Sequence, residues 1–196
     1  MGNQIEHELK PVTFEEAFMP HVDAAYNVAR WLTRNDMDAQ DVVQEALLRA
    51  LKFFHRFHGD DGRAWLLKIV RNTSYTWLKQ NRGKELPIDL DEDIYLKETD
   101  AHNPEANLLK KDQKQKIFEA MQELPHKLRE VLILREFEEI SYKEIAAIAG
   151  IPVGTVMSRL ARARRKLLAL ISDDDVALPA RLAHAFRRPR TGQLCA

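Results

Sequence analysis

From Val153 onward, Val156, Leu160, Ala163, Leu167 and Leu170 recur at helical spacing, which lines one face of an α-helix with apolar side chains. Thr155, Ser158, Arg159, Arg162, Arg165 and Lys166 fall on the other face, and no Asp or Glu lies between Pro152 and Ile171. The pattern ahead of it predicts a shorter helix. Ser141 followed by Glu144 forms a capping box, and Ile140 and Ile145 stand where a hydrophobic staple sets the angle at which the chain approaches the helix. Gly150 ends that helix because it can take the left-handed conformation of a tight turn, and Pro152 suits the first turn of the next. Two short helices joined by a sharp turn, the second with a polar face of one charge sign, make a helix-turn-helix able to reach base edges and phosphates in a major groove. A solvated basic helix on a bundle is the plainer reading of a charge run. The coincidence of capping, glycine turn and one-signed face favours duplex DNA.

The same periodicity divides the rest of the chain into helices, with no strand alternation. A first block runs from Thr13, which forms a capping box with Glu16, to about Arg82. Pro20 interrupts its first helical pattern, and a longer helix continues to about Arg34. Asn35 and Asp36 make a turn, and Asp38 caps a helix that turns Val42, Val43, Ala46, Leu47 and Ala50 inward. His58 to Gly62, HGDDG, reads as a loop. The next helix, Arg63 to Arg82, buries Leu66, Ile69, Val70, Thr73 and Trp77, and sets Lys68, Arg71, Tyr75, Lys79 and Arg82 on the opposite face. No acid lies between Arg63 and Lys84. A basic face with an interleaved aromatic suits a phosphate backbone with unpaired bases, although alone it fits an ordinary amphipathic surface helix as well.

Glu85 to Asn103 carries Asp89, Asp91, Glu92, Asp93, Glu98 and Asp100 with little apolar content, and is expected to be an exposed tether. Its D-x-D-x-D start is not a calcium loop, because Ile94 occupies the position that needs glycine and Asp100 replaces the bidentate glutamate. Asn103 and Pro104 open a helix to about Leu124, and Pro125 opens another through Phe137. Ile117, Phe118, Met121, Leu128, Val131 and Leu132 of these helices are the expected scaffold of the helix-turn-helix.

Charge and composition refine this picture. The 196 residues carry a formal net charge of zero, so attraction to nucleic acid must come from segregated patches. The one cysteine, Cys195, excludes an internal disulfide and fits a reducing cytoplasm. No apolar run approaches a membrane span, and the polar start around Glu6 and Glu8 lacks a signal-peptide pattern, so a soluble cytoplasmic protein is expected. No phosphate-binding glycine loop or nucleophile elbow occurs, and His55 with His58 lacks the partners of a zinc site. No metal, cofactor or catalytic activity is expected.

Three segments together resemble the extracytoplasmic-function (ECF) group of bacterial sigma factors: DAQDVVQEALLRAL at Asp38 to Leu51, GRAWLLKIVRNTSYTWLKQNR at Gly62 to Arg82, and LPHKLREVLILREFEEISYKEIAAIAGIPVGTVMSRLARARRKL at Leu124 to Leu167. The resemblance spans about Phe14 to Ile171. It implies an all-α protein of two small helical domains joined by a flexible acidic linker, with the helix-turn-helix in the second. Residues 1–84 would be sigma region 2, 85–103 the linker, 104–171 sigma region 4 and 172–196 a C-terminal tail. Asp41, Gln44, Glu45 and Arg49 would bind core RNA polymerase. His58, Gly59, Asp60 and Asp61 would form the loop that captures a flipped base of the minus-ten element, beside the strand-contacting Lys68, Arg71, Asn72 and Tyr75. Thr155, Ser158, Arg159, Arg162, Arg165 and Lys166 would read promoter DNA at the minus-thirty-five element. Met157 departs from the arginine that many relatives carry. The resemblance also implies an anti-sigma factor as partner. A helix-turn-helix repressor or activator working without polymerase, and a helical adaptor with incidental basic faces, are the rival readings.

Overall fold

The computed structural model describes residues 12–58, 61–81 and 116–171, and every regular element among them is helical. The first block starts with α1, Phe14–Phe18, closed by the capping box: the Glu16 amide donates to Thr13 Oγ1 at 3.2 Å and the Thr13 amide to Glu16 Oε2 at 3.0 Å. Pro20 sits in a 3₁₀ turn, Met19–His21, where its missing N–H costs nothing. Helix α2, Val22–Thr33, follows and ends at Arg34 in the left-handed region, φ 65°. The cap of α3, Asp36–Lys52, is Asn35 rather than the expected Asp38: Asn35 Oδ1 accepts the Asp38 amide at 3.0 Å, so the helix starts three residues early. Asp36 and Asp38 then lie in its first turn, where acids complement the helix dipole.

A 3₁₀ turn, Phe54–Arg56, leads towards α4, Gly62–Gln80. Phe18 is the hub of an aromatic cluster with Phe14, Phe54, Phe57 and Trp65, at centroid separations of 5.0 to 5.8 Å. Ala39, Val42, Ala46 and Ala50 of α3 are buried with Leu66, Leu67 and Val70 of α4, their small side chains letting the helices approach closely. The start of α4 also lies close against α1: a Cβ on Gly62 would be 2.1 Å from the Ala17 carbonyl oxygen. Backbone on both sides leaves nothing flexible to yield. Gly62→Ala should therefore displace the start of α4 and cost about 1–3 kcal/mol, measured as a lowered urea midpoint, while an exposed alanine change such as Gln80→Ala should not.

In the second block a helix over residues 116–123, α5, precedes α6, His126–Leu132, which opens after Pro125 as the sequence suggests. Its continuation to Phe137 is not α-helical. Ile133–Phe137 is one π-type turn, closed by the Glu138 amide donating to the Ile133 carbonyl at 3.1 Å. This wide turn rotates Glu136 towards α8 and Glu138 towards the first block. Helices α7, Tyr142–Ala149, and α8, Val153–Ile171, complete the block. Val156, Leu160, Ala163 and Leu167 face inward as expected. Leu170 does not: it is exposed, and Ile171, four residues after Leu167, completes the buried stripe.

The two blocks pack against each other, α2 and α4 of the first against α6, α7 and the π turn of the second. Trp31, 2% exposed, is wedged between Phe118 at 5.0 Å and Phe137 at 5.5 Å. Arg34 donates across the seam to the Gln122 carbonyl at 2.5 Å, and the fully buried Arg129 donates to the Trp31 carbonyl at 3.1 Å. The expected tether, the helix start at Asn103, the candidate calcium loop and the tail lie outside the described residues.

Candidate nucleic-acid interface

The helix-turn-helix forms from the residues that predict it. The Glu144 amide donates to Ser141 Oγ at 3.3 Å and the Ser141 amide to Glu144 Oε2 at 2.8 Å, and these bonds at Ser141 hold the Glu144 carboxyl below the usual carboxylate range. Ile140 and Ile145 are both buried. Gly150, φ 66°, takes the left-handed conformation and closes the helix onto the Ala146 carbonyl. Helices α7 and α8 then lie at 100°, within the range of DNA-reading helix pairs.

On α8, Ser158, Arg162, Arg165 and Lys166 are exposed, and Thr155 and Arg159 are half-buried. Arg162 Nε rests on the Ser158 carbonyl at 3.3 Å, a weak bond that a base edge or phosphate can displace. Arg164 belongs to the other side, where it donates to Glu136 Oε1 at 2.5 and 3.2 Å and ties α8 to the π turn. Arg162→Ala should weaken binding to a cognate duplex by about 1–3 kcal/mol if the contact is bidentate to guanine, with the helical circular dichroism unchanged. Loss of helicity would show that Arg162 supports the fold instead.

On α4, Asp61 is the N-cap, its Oδ1 accepting the Ala64 amide at 2.8 Å. His58 is exposed on the far side of the loop; Gly59 and Asp60 lie outside the described residues. Lys68 and Asn72 are exposed, as expected. Arg71 and Tyr75, expected on the same open face, are turned into the seam between the blocks. The Arg71 guanidinium lies 4.7 Å from the Tyr75 ring, donates to Asn72 Oδ1 at 3.0 Å and is paired through Nε with Glu130. The Tyr75 hydroxyl donates to Glu130 Oε2 at 2.9 Å. Burial, and then the Glu130 charge, push that hydroxyl's pKa well above the usual tyrosine value, with Arg71 and Arg159 opposing weakly.

The outer face of α3 exposes Asp41, Gln44 and Glu45. Arg49 is half-buried, with Nε 2.7 Å from Glu45 Oε1 and Nη1 3.4 Å from Thr73 Oγ1. Among the described residues no group of three or more His, Cys, Asp or Glu side chains is placed to hold a metal ion, and no single helix there is long and apolar enough to cross a membrane.

Residues 17–84 match the family model for sigma-70 region 2, and residues 114–167 that for sigma-70 region 4. The RNA polymerase sigma-H factor of Pseudomonas aeruginosa is 36% identical over 141 residues, covering 66% of this chain and 71% of that protein. The ECF RNA polymerase sigma-E factor of Escherichia coli is 38% identical over 139 residues, covering 66% and 72%. The chain belongs to the ECF sigma factors. Among solved structures it resembles the Bartonella quintana sigma factor RpoE, in complex with the anti-sigma factor NepR, with a TM-score of 0.63, 28% identity and coverage of 82% of this chain and 98% of that one. It also resembles CnrH, in complex with the cytosolic domain of CnrY, with a TM-score of 0.58, 26% identity and coverage of 82% and 88%.

As a sigma factor the chain directs RNA polymerase to promoters, which makes a repressor without polymerase the poorer account. Sequence reasoning missed the placement of four residues beside these faces. Leu48 and Leu51, 58% and 56% exposed, extend the polar patch of Gln44 and Glu45 with apolar area. Their signal was present, because a helix that turns Val42, Val43, Ala46 and Ala50 inward carries Leu48 on the opposite side and Leu51 beyond the edge of that stripe. Glu130 and Glu138 had none: each reads as a surface acid on an amphipathic helix, and each is buried against the first block.

Proposed function

We propose that this ECF sigma factor docks on core RNA polymerase through α3, opens the minus-ten element through α4 and reads the minus-thirty-five element as duplex through α8. On this reading residues 1–84 form region 2, 85–103 the linker, 104–171 region 4 and 172–196 a tail. Asp41, Gln44, Glu45 and Arg49 bind polymerase with Leu48 and Leu51. His58 to Asp61 capture an unpaired base, and Lys68, Arg71, Asn72 and Tyr75 contact the exposed strand. Thr155, Ser158, Arg159, Arg162, Arg165 and Lys166 contact the duplex. The protein works in the cytoplasm, has no catalytic step of its own, and serves a stress or envelope response under an anti-sigma factor, as the partners of its structural relatives suggest.

The observation that carries this reading is the presence, in region order, of two helices whose exposed charged side chains are all basic: Lys68 and Lys79 on α4, and Arg162, Arg165 and Lys166 on α8. One acid-free face reads a duplex, and the other, interleaved with tyrosine, suits separated strands. Run-off transcription by purified core polymerase on a library of genomic promoters should yield discrete products only when the protein is added. Duplex binding with no gain in transcription would favour a repressor.

A further inference from the structure

We propose that the chain carries its own inhibitory latch: Glu130 and Glu138 of the second block hold Arg71, Tyr75 and Arg63 of the first, closing the strand-contacting face of α4 until the blocks are drawn apart. The inhibitory part of this proposal rests on the reading of α4 as the strand-contacting helix; the closure itself does not.

The two carboxylates have the wrong surroundings for ordinary surface acids. The Glu130 side chain is fully buried and that of Glu138 is 6% exposed. Among the described residues, every side-chain hydrogen bond that either accepts comes from the other block: Arg71 and Tyr75 to Glu130, Arg63 at 2.8 Å and Asn27 at 3.4 Å to Glu138. A buried carboxylate is costly unless it is paired, so these two positions are satisfied only when the blocks are closed. A carboxylate also offers a guanidinium the same planar acceptor pair as a phosphodiester. Glu130 therefore occupies on Arg71 and Tyr75 the groups that a DNA strand would use, and occupancy by one excludes the other.

The chemistry suits a latch rather than a permanent joint. Desolvation of a buried ion pair offsets most of its attraction, and when the blocks part both partners regain water. The apolar wedge of Trp31 holds the closed state together, and the charged pairs fix its register. Binding of polymerase and promoter can then supply what opening costs.

The test uses the full chain with Cys195→Ser and spin labels at Glu15→Cys and Ala169→Cys, exposed positions in different blocks. Pulsed electron resonance should give one narrow distance distribution for the parent and a broader, longer one for Glu130→Gln combined with Glu138→Gln. Affinity for a random pool of single-stranded 20-mers should rise about tenfold in the same variant, the factor expected if roughly one parent molecule in ten is open. Arg71→Ala should open the blocks too, yet lose affinity. Tyr75→Phe, which removes only the hydroxyl bond, is the milder second variant and should open partly. A parent as broad as the variants, or variants as narrow as the parent, would overturn the latch. Opening without any gain in DNA affinity would overturn the inhibitory role and point to the reading of α4, whereas the distances alone would still report closure.

Discussion

Replacing Arg129 by alanine should lower the stability of the chain by about 3–5 kcal/mol, because several buried carbonyls lose their donor at about 1–3 kcal/mol each where no water replaces it. The guanidinium is fully buried and donates to four backbone carbonyls: Met121 at 2.9 Å, Gln122 at 2.6 Å, Leu124 at 2.8 Å and, across the seam, Trp31 at 3.1 Å. The first three close the end of α5, where helical carbonyls run out of amide partners. Burial, with Arg34 nearby, pushes the Arg129 pKa down to about 9, so the charge itself is held at a cost and its geometry is what stabilises. Lysine keeps the charge but cannot spread donors over four acceptors. Arg129→Lys should therefore lose nearly as much as Arg129→Ala in urea unfolding. A loss below about 1 kcal/mol for either, within the range of an ordinary surface change, would mean that water replaces the side chain there.

The largest functional effect should come from Lys68→Ala combined with Arg71→Ala. Lys68 is free on α4, and Arg71 becomes free once Glu130 is withdrawn. If each contributes about 1.4 kcal/mol to holding the displaced strand, initiation on linear duplex falls roughly 100-fold. On a template already mismatched across the minus-ten element the fall should be much smaller, because the strands are separated beforehand. Binding to core polymerase should persist, since α3 is untouched. The double variant also releases the latch, so it should open more readily as a free protein and still initiate worse. Equal loss on both templates would remove strand opening from the role of α4.

The parts of this account that were legible in the sequence are those written locally. Capping boxes at Thr13 and Ser141, the positive-φ turn at Gly150 and the spacing of Val156, Leu160, Ala163 and Leu167 depend on neighbours within a few residues, and the structure forms each as read. The Asn35 cap was misplaced to Asp38 because two capping residues stood within one turn and only the backbone at Asn35, φ −148° and ψ 139°, decides between them. The π turn at Ile133–Phe137 leaves no mark in an apolar run that fits an α-helix equally well. The closure of the two blocks was illegible for a stronger reason. Its determinants, Trp31 with Phe118 and Phe137, Arg71 with Glu130 and Arg63 with Glu138, lie 59 to more than 100 residues apart or depend on which side of a helix faces a partner. Periodicity marks Arg71 and Tyr75 as outward, and outward they are; what lies outside is the other half of the protein.

Footprinting of the complex between core polymerase and this chain, on a promoter that the complex selects, tests the central claim most directly. The account predicts protection of duplex DNA at the minus-thirty-five element together with permanganate-reactive thymines across the minus-ten element, both absent with core polymerase alone. The chain alone should open no strands. Duplex protection by the chain alone, unchanged by polymerase and without any reactive thymine, would contradict it.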